Sequence, residues 1–236
     1  MRSASGGKAG KSDSVRKHEF GCNTIQRQQH MSIQPTVRIR GAEVYKGFLS
    51  PERQQKIVAD IRAVLRKAPL FSPVTAGGRR MSVRITSAGA LGWISDRKGY
   101  RYEPCHPSGT LWPPIPESVL DPWCRILPAT PLPDSCLINF YAPGARMGMH
   151  QDRDEADLRW PILSVSLGDD AVFRIGRVQR GGATQSVVLS SGDVLVMRDE
   201  ARLAYHGIER ICPGTSCLLR NGGRLNLTLR IAGNRA

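Results

Sequence analysis

The chain has 236 residues, a formal net charge of +14 at pH 7 and a sequence pI of about 10.1. This length suits one sizeable core and is marginal for two domains, so we expect one folded domain over residues 33–236 behind a basic tail. No apolar run approaches the roughly 18 residues that a membrane span needs, whereas the positive charge favours a polyanionic partner.

The first 32 residues are rich in Gly, Ser, Lys, Arg and Gln. Because such a composition buries little apolar surface, we expect residues 1–32 to be a disordered basic tail. The tail could hold a phosphate backbone, or it could be an upstream extension with Met31 as the true start. The sequence leaves both alternatives open.

The cysteine spacing, the N-terminal composition and the lack of a coiled-coil pattern predict the compartment and the oligomeric state. The six cysteines show no CxxC pair and no regular spacing, which is typical of reduced thiols in a reducing compartment. The first 30 residues have no apolar core of a secretory signal, and their glycines make an organelle transit peptide the lesser alternative. We therefore expect a cytoplasmic protein without a membrane partner. Because the sequence shows no coiled-coil pattern, we also expect a monomer.

Two short strands and one helix are predicted next. Residues Val37 to Phe48 alternate as a pair of strands would. Ser50 then suits a helix N-cap with Pro51 at the first helical position. Apolar residues follow at helical spacing, which predicts a helix packed on a sheet: Ile57, Ile61, Val64, Leu65 and Ala68.

The segment Gly92 to Tyr102 interleaves aromatic and cationic residues, and it follows a loop that contains Arg79 and Arg80. One interpretation is an amphipathic loop with Trp93 in the core. The other is a nucleic-acid contact, because aromatic planes stack on unpaired bases while arginine and lysine hold the flanking phosphates. Residue types alone do not decide between them.

Prolines crowd the span from Pro104 to Pro133 and predict a long ordered loop with little regular structure. His106 has no suitably spaced partner for a metal site. We therefore expect it to be an exposed loop histidine.

From Ser135 onward the pattern becomes that of a mainly β domain. Seven or eight short strands punctuated by glycine and aspartate predict a jelly roll with the helix outside it. The predicted strands are Cys136–Ala142, Ile162–Leu167, Ala171–Ile175, Ser186–Leu189, Asp193–Met197, Ser216–Leu219 and Arg224–Ile231.

His150 and Asp152 stand two residues apart behind a strand-like run, so that an extended chain would place them on one face. Such a pair is by itself more often a surface turn. With His206 as a third ligand, however, it makes the 2-His-1-carboxylate triad that holds non-haem Fe(II) and leaves positions open.

The last predicted strand alternates without a fault, with its polar residues on one face: Arg224, Asn226, Thr228 and Arg230. A half-buried strand could simply show this face to water. Two arginines on one face can equally bind a carboxylate through their guanidinium forks. An iron triad with open positions and a dicarboxylate site is what a 2-oxoglutarate-dependent oxygenase requires.

At these residues the sequence resembles the AlkB family of Fe(II)- and 2-oxoglutarate-dependent nucleic-acid dealkylases. Four motifs in family order carry the resemblance, which covers about Tyr45 to Gly233: NxYxPG at Asn139–Gly144, HxDxDE at His150–Glu155, YHG at Tyr205–Gly207 and RxNxTxR at Arg224–Arg230. The family's fold is a double-stranded β-helix with an N-terminal helix and a nucleotide-recognition lid. The resemblance places the lid at about residues 75–104 and the jelly-roll core at about 135–233.

The resemblance also implies roles for individual residues. His150, Asp152 and His206 would bind Fe(II), and Arg224 would bind the distal carboxylate of 2-oxoglutarate. Further cosubstrate contacts would come from Leu137, Asn139, Tyr141, Asn226 and Arg230. Substrate contacts would come from Trp93, Tyr100 and Tyr102 on the lid, from Asp154 at the exocyclic amine of the base, and from Arg180.

The implied reaction uses O₂ and 2-oxoglutarate to hydroxylate a methyl group on a base nitrogen, releasing succinate, CO₂, formaldehyde and the repaired base. The expected substrate is 1-methyladenine or 3-methylcytosine, preferentially in single-stranded DNA and possibly in RNA. Two alternatives stay open: the same chemistry on tRNA or protein, and a non-catalytic nucleic-acid binding module.

Overall fold

The computed structural model describes residues 33–233. The predictions for the tail, including the start at Met31, lie outside these residues. Within 33–233, neither helix combines the length and the apolar composition needed to cross a bilayer. The helices are α1, Pro51–Lys67, and α2, Glu117–Ile126, and a 3₁₀ turn covers Asp199–Ala201. The strands are β1 Val37–Ile39, β2 Ala42–Tyr45, β3 Arg84–Gly89, β4 Gly92–Asp96, β5 Gly99–Glu103, β6 Ser135–Tyr141, β7 Met147–His150, β8 Ile162–Gly168, β9 Asp170–Ile175, β10 Gln185–Leu189, β11 Val194–Met197, β12 His206–Cys212 and β13 Arg224–Arg230.

Antiparallel pairing organises these strands into two facing sheets and a separate hairpin. The large sheet has the order β1-β2-β11-β8-β13-β6-β3, and the small sheet has the order β10-β9-β12-β7. Strands β4 and β5 form a two-stranded sheet of their own. The non-consecutive strand order is that of a jelly roll, and the predicted fold class is confirmed.

The large sheet separates an apolar outer layer from the interior of the barrel. On β13, Leu225, Leu227 and Leu229 pack with residues of α1 and α2. The alternate residues of this strand face the other way, because side chains on a strand alternate between its two faces. The polar row predicted from the sequence therefore lines the space between the two sheets, where water is largely excluded.

Helix α1 covers the outer face of the large sheet. Its N-cap is Ser50, whose side chain accepts a hydrogen bond from the backbone N–H of Arg53, and Pro51 stands at the first helical position. The buried side of the helix includes Ile57, Ile61 and Val64. The predicted cap and helical periodicity are therefore confirmed.

The proline-rich span contains a helix that we did not predict, α2. It includes Pro122, which cannot donate a backbone hydrogen bond. Val119 and Trp123 are fully buried on its inner side, and Trp123 also donates from its indole to the carbonyl of Pro131 at 3.1 Å. Burial of these side chains against the sheet thus outweighs the local cost of the proline.

The expectation for His106 is also wrong, because its imidazole is 7% exposed. Its ring meets Phe71 and Trp112 edge-on, with centroid distances of 5.4 and 5.2 Å. Its nitrogens are partnered as well, by the hydroxyl of Ser108 at 2.7 Å and the carbonyl of Pro69 at 3.0 Å. His106 is a core residue whose polar atoms are satisfied.

Residues Ser216–Leu219 form a bent segment and not the predicted strand. The backbone N–H groups of Ser216 and Gly223 instead bind the two carboxylate oxygens of Asp169. Conversely, β7 and β12 were not among the predicted strands. These two strands carry His150 and His206 and pair with each other.

Candidate active site

Two paired strands bring the predicted iron ligands together. His150 ends β7, His206 begins β12, and the two residues are direct partners in the antiparallel register. Asp152 follows β7 and lies 3.5 Å from Nε2 of His150 and 3.7 Å from Nε2 of His206, measured to its two carboxylate oxygens. One potential ligand atom from each residue lies within 4.8 Å of the others, so that a single ion can contact all three.

The close pairing of β7 and β12 depends on Gly207. A Cβ atom at this position would lie 2.6 Å from the carbonyl oxygen of Met147 and 2.9 Å from that of Gly148. These are backbone atoms and cannot rotate away. The glycine of the YHG motif therefore permits the strand separation that sets His206 beside His150.

Backbone carbonyls orient both imidazoles. Nδ1 of His150 lies 2.9 Å from the carbonyl oxygen of Gly148, and Nδ1 of His206 lies 3.0 Å from that of Ala204. A carbonyl accepts only, so each Nδ1 carries the proton. In the neutral ring, Nε2 is then the nitrogen with a free lone pair, as a metal ligand requires.

The charges around Asp152 favour its ionised form. Burial alone would raise the pKa of this carboxyl, but Arg230 and the two imidazoles hold it well below its usual range. Burial, together with neighbouring His150, lowers the pKa of His206 to about 4, so that His206 is neutral at pH 7. Burial opposes the charged form of His150 as well, but Asp152 raises its pKa. The cluster thus offers a carboxylate and a neutral imidazole without prior loss of a proton.

Arg224 is a fully buried cation inside the barrel. Its guanidinium donates to the carbonyls of Asp169 and Leu189 and to the hydroxyl of Ser166, at 3.0, 2.9 and 2.6 Å. Burial lowers the pKa of Arg224 to about 10, which still leaves it protonated at pH 7. None of these partners is a carboxylate, and its Nε has no partner in the structure.

Two more buried polar atoms between the sheets have no hydrogen-bond partner among the described residues. They are Oδ1 of Asn139 and Nε of Arg230, and the latter has only an ion-pair contact of 3.4 Å with Oε1 of Glu155. Buried polar groups are seldom left without a partner, and such exceptions often mark the place of a bound group. Together with the unneutralised charge of Arg224, they fit a dicarboxylate cosubstrate between the sheets.

The other predicted cosubstrate residues lie on the same two strands. Tyr141, Asn139 and Leu137 on β6 pair directly with Arg224, Asn226 and Thr228 on β13. Burial raises the pKa of Tyr141, so its hydroxyl remains protonated at neutral pH. Asn226 accepts from Ser164 at 2.8 Å and donates to Thr228 at 3.0 Å.

The hairpin of β4 and β5 lies beside the segment that carries Asp152. From β4, the indole Nε1–H of half-buried Trp93 donates to Oδ2 of Asp154 at 2.9 Å. Tyr100, on β5, stacks on Trp93 with a centroid distance of 5.6 Å and is 50% exposed. The structure therefore brings the predicted stacking residue, its aromatic neighbour and the predicted amine acceptor together next to the triad.

Two predicted substrate residues are placed differently from this group. The hydroxyl of Tyr102 donates to Oε1 of Glu155 at 3.0 Å and accepts from Nη1 of Arg230 at 2.9 Å. Tyr102 thus contacts the polar interior and is not stacked beside Trp93 and Tyr100. Arg180 is exposed in the connection between β9 and β10.

The sequence did not predict that two charged residues near Asp152 are buried and paired with each other. The side chain of Glu155 is 1% exposed and that of Arg202 is 5% exposed, and they form an ion pair of 3.1 Å. Glu155 looked like a solvated acid beside Asp154, although it closes the HxDxDE motif. Arg202 gave no signal apart from standing four positions before His206.

The comparisons with known proteins agree with this arrangement. Residues 41–230 match the 2OG-Fe(II) oxygenase superfamily model. The chain is 51% identical over 204 residues to an alpha-ketoglutarate-dependent dioxygenase AlkB homolog of Caulobacter vibrioides, covering 86% of this chain and 92% of that protein. It is 42% identical over 200 residues to the alpha-ketoglutarate-dependent dioxygenase AlkB of Escherichia coli, covering 83% and 92%.

More distant matches extend to plants. The chain is 32% identical over 233 residues to an Arabidopsis thaliana protein named DNA N(6)-methyladenine demethylase ALKBH1D, covering 86% of this chain and 50% of that protein. The solved structure of OsALKBH1 superposes with a TM-score of 0.66 at 30% identity, covering 82% of this chain and 97% of that one. On this evidence, the chain belongs to the AlkB family and is an Fe(II)- and 2-oxoglutarate-dependent dioxygenase that uses O₂.

Proposed function

We propose that the protein removes methyl groups from ring nitrogens of nucleic-acid bases, with 1-methyladenine and 3-methylcytosine in single-stranded DNA as its main substrates. The observation that carries the proposal is the pairing of Trp93 with Asp154 beside the triad. An indole face can stack on a base, and a carboxylate can accept its exocyclic amine. Methylation at these ring nitrogens makes the base cationic, which adds attraction to Asp154.

The proposed site assigns His150, Asp152 and His206 to Fe(II), which supplies oxidation by O₂ when it is bound. Arg224 would bind the distal carboxylate of 2-oxoglutarate, and the other polar residues between the sheets would contact the rest of it. As CO₂ leaves 2-oxoglutarate, one oxygen atom of O₂ would enter the succinate carboxylate, and the other would become the hydroxyl group on the methyl carbon. Cleavage of the carbon–nitrogen bond then releases formaldehyde and the unmodified base.

Charge and exposure support a single strand as the partner. The net charge of +14 attracts a polyanion, and cationic residues on and beside the β4–β5 turn, such as Arg97 and Lys98, can reach phosphates. The target atom cannot be reached inside a duplex, and a single strand avoids the cost of unpairing the base.

The free thiols of Cys105, Cys136, Cys212 and Cys217 support our proposal of a cytoplasmic enzyme. We also propose that it acts as a monomer.

Mass spectrometry of a short single-stranded DNA with one 1-methyladenine tests the proposal. The oligonucleotide is incubated with the protein, Fe(II), 2-oxoglutarate and ascorbate, beside an Asp152→Ala control. We expect loss of one methylene mass with the wild type only, together with formaldehyde and succinate. An unchanged oligonucleotide with 2-oxoglutarate consumed would contradict the substrate, and the same assay on methylated tRNA and on protein would follow. Oligonucleotide binding without any consumption would favour a non-catalytic binding module.

A further inference from the structure

A buried arginine connects the segments that carry two of the triad residues. Arg202 follows the 3₁₀ turn and stands four positions before His206. Its Nη1 donates to the backbone carbonyl of Asp152 at 2.7 Å, and its Nε donates to that of Trp160 at 2.7 Å. The same guanidinium contacts Glu155 at 3.1 Å through Nη2. One side chain therefore holds three points of the segment that contains Asp152.

This segment needs such support because residues 151–161 form neither helix nor strand. Asp152 therefore lacks the ladder of backbone hydrogen bonds between paired strands that holds His150 and His206. Besides Arg202, the amide of Gln151 donates to the carbonyl of Leu203 at 2.6 Å. Both contacts join the Asp152 segment to the residues just before His206.

The contacts of Glu155 extend the connection to the polar interior. Its Oε2 binds Arg202, while its Oε1 accepts from Tyr102 and lies 3.4 Å from Nε of Arg230. Arg230 in turn donates to Oδ2 of Asp152 at 2.8 Å. Arg202, Glu155 and Arg230 thus form one chain of charged groups. Arg202 at one end binds the backbone of Asp152, and Arg230 at the other end binds its side chain. Its carboxylate is oriented as well as located.

We infer that Arg202 is a positioning residue for the metal centre, fixing Asp152 at its distance from His206, and that Glu155 links Arg202 to Arg230 for the same purpose. Neither residue belongs to the candidate ligand cluster. Arginine suits this role because its planar fork serves three acceptors at once, whereas a lysine ammonium is a point donor on a flexible stem. Partners that orient metal ligands typically change metal affinity by about 10- to 100-fold when they are removed.

The first test measures Mn(II) affinity by anaerobic calorimetry, without nucleic acid. We expect Arg202→Met to weaken Mn(II) binding by about 10- to 100-fold. Arg159→Met is the matched control, because Arg159 lies on the same segment but its side chain is 86% exposed and, within residues 33–233, pairs with Asp157 alone. The control should bind Mn(II) within about twofold of wild type. A folded Arg202→Met protein with wild-type affinity would overturn the inference.

A second variant keeps the test decisive if Arg202→Met does not fold. Arg202→Lys retains the charge but not the three-point contact, and we expect a loss of Mn(II) affinity of about tenfold. The visible spectrum of the Co(II)-substituted protein should change as well, because it reports ligand geometry. Wild-type affinity together with a wild-type Co(II) spectrum in Arg202→Lys would refute the positioning role.

The inference rests on the proposed iron ligands and not on the choice of base. Asp152→Ala separates the two: if this variant bound Mn(II) as wild type does, the ligand assignment itself would be wrong, whatever Arg202 does. If Asp152→Ala loses Mn(II) and Arg202→Lys does not, only the positioning role fails. Glu155→Gln should weaken Mn(II) binding too, and by less than Arg202→Met, since it keeps the shape of the side chain.

Discussion

Trp93 and Asp154 are joined by a hydrogen bond of 2.9 Å in which the indole donates to the carboxylate. Trp93, which we propose stacks on the base, therefore already donates a hydrogen bond to Asp154, which we propose binds the base amine. An incoming adenine or cytosine can take over this role because its exocyclic amine is also a donor. A base without an amine at that position would displace the indole without replacing its hydrogen bond.

Replacement of Trp93 separates stacking from this hydrogen bond. We expect Trp93→Ala to weaken binding of a methylated single strand by about tenfold or more, since stacking contributes roughly 1–3 kcal/mol per base. Trp93→Phe keeps an aromatic plane and should lose much less. Fluorescence anisotropy of a labelled oligonucleotide, with Mn(II) and 2-oxoglutarate under anaerobic conditions, measures both. Equal affinity in Trp93→Ala and wild type would contradict the stacking role.

The glycine beside His206 gives a second prediction. Gly207→Ala should weaken Mn(II) binding by about tenfold or more, because its Cβ would lie 2.6 Å from the carbonyl oxygen of Met147 and would force β12 away from β7. Gly148→Ala is the control, since a Cβ there would meet no atom of the described residues within 4 Å. Calorimetry on both variants checks the prediction. Equal losses in the two variants would mean that strand separation is not what sets the site.

Substitution of Arg224 should act on the cosubstrate. We expect Arg224→Lys to weaken 2-oxoglutarate binding by about 2 kcal/mol or more, because a buried ammonium cannot offer a carboxylate the paired N–H groups of a guanidinium. Stability should fall as well, since the guanidinium satisfies two buried carbonyls. Anaerobic calorimetry with Mn(II) present measures the affinity, with exposed Arg210→Lys as control. A normal affinity in Arg224→Lys would place the distal carboxylate elsewhere.

A buried carboxylate outside the metal cluster and the polar row makes stability depend on pH. Burial alone would raise the pKa of Glu43, but hydrogen bonds from Arg198 and Tyr45 and the charge of Arg38 bring it below 4.5. A carboxyl whose pKa is lower in the folded state stabilises fully above its unfolded pKa and loses that contribution as pH falls through the folded value. Glu43→Gln should therefore be destabilised at pH 7 by about 1–3 kcal/mol.

Urea denaturation at several pH values checks this prediction. The difference in unfolding free energy between wild type and Glu43→Gln should shrink as pH falls below about 4.5, the ordinary glutamate value. Glu209→Gln, whose side chain is 41% exposed, is the control and should show little difference at any pH. A gap between wild type and Glu43→Gln that does not change with pH would contradict the assigned cause.

The parts of the site that could be predicted from the sequence depend on short-range patterns. The two-residue spacing of His150 and Asp152 and the alternation of β13 follow from the period of an extended chain. The cap at Ser50 and the spacing of apolar residues in α1 are equally local. These features survive in the structure because tertiary packing agrees with them.

What the sequence could not show depends on contacts between distant segments. Arg202 acts on residues 42–50 positions away, and the burial of His106 requires rings from Phe71 and Trp112. Helix α2 forms despite Pro122 because its apolar side is covered by the sheet. Ser216–Leu219 has the composition of a strand, but both neighbours of β13 in the sheet are already supplied by β6 and β8.

The hairpin of β4 and β5 forms a sheet separate from the two that build the barrel. Apart from Tyr102, whose hydroxyl contacts Glu155 and Arg230, residues of this hairpin can change without altering the strands that carry the triad or the polar row. Evolution can therefore vary which molecule is admitted while it inherits the oxidation chemistry unchanged. The same separation makes the hairpin a natural point of exchange for grafting new substrate preferences onto this scaffold.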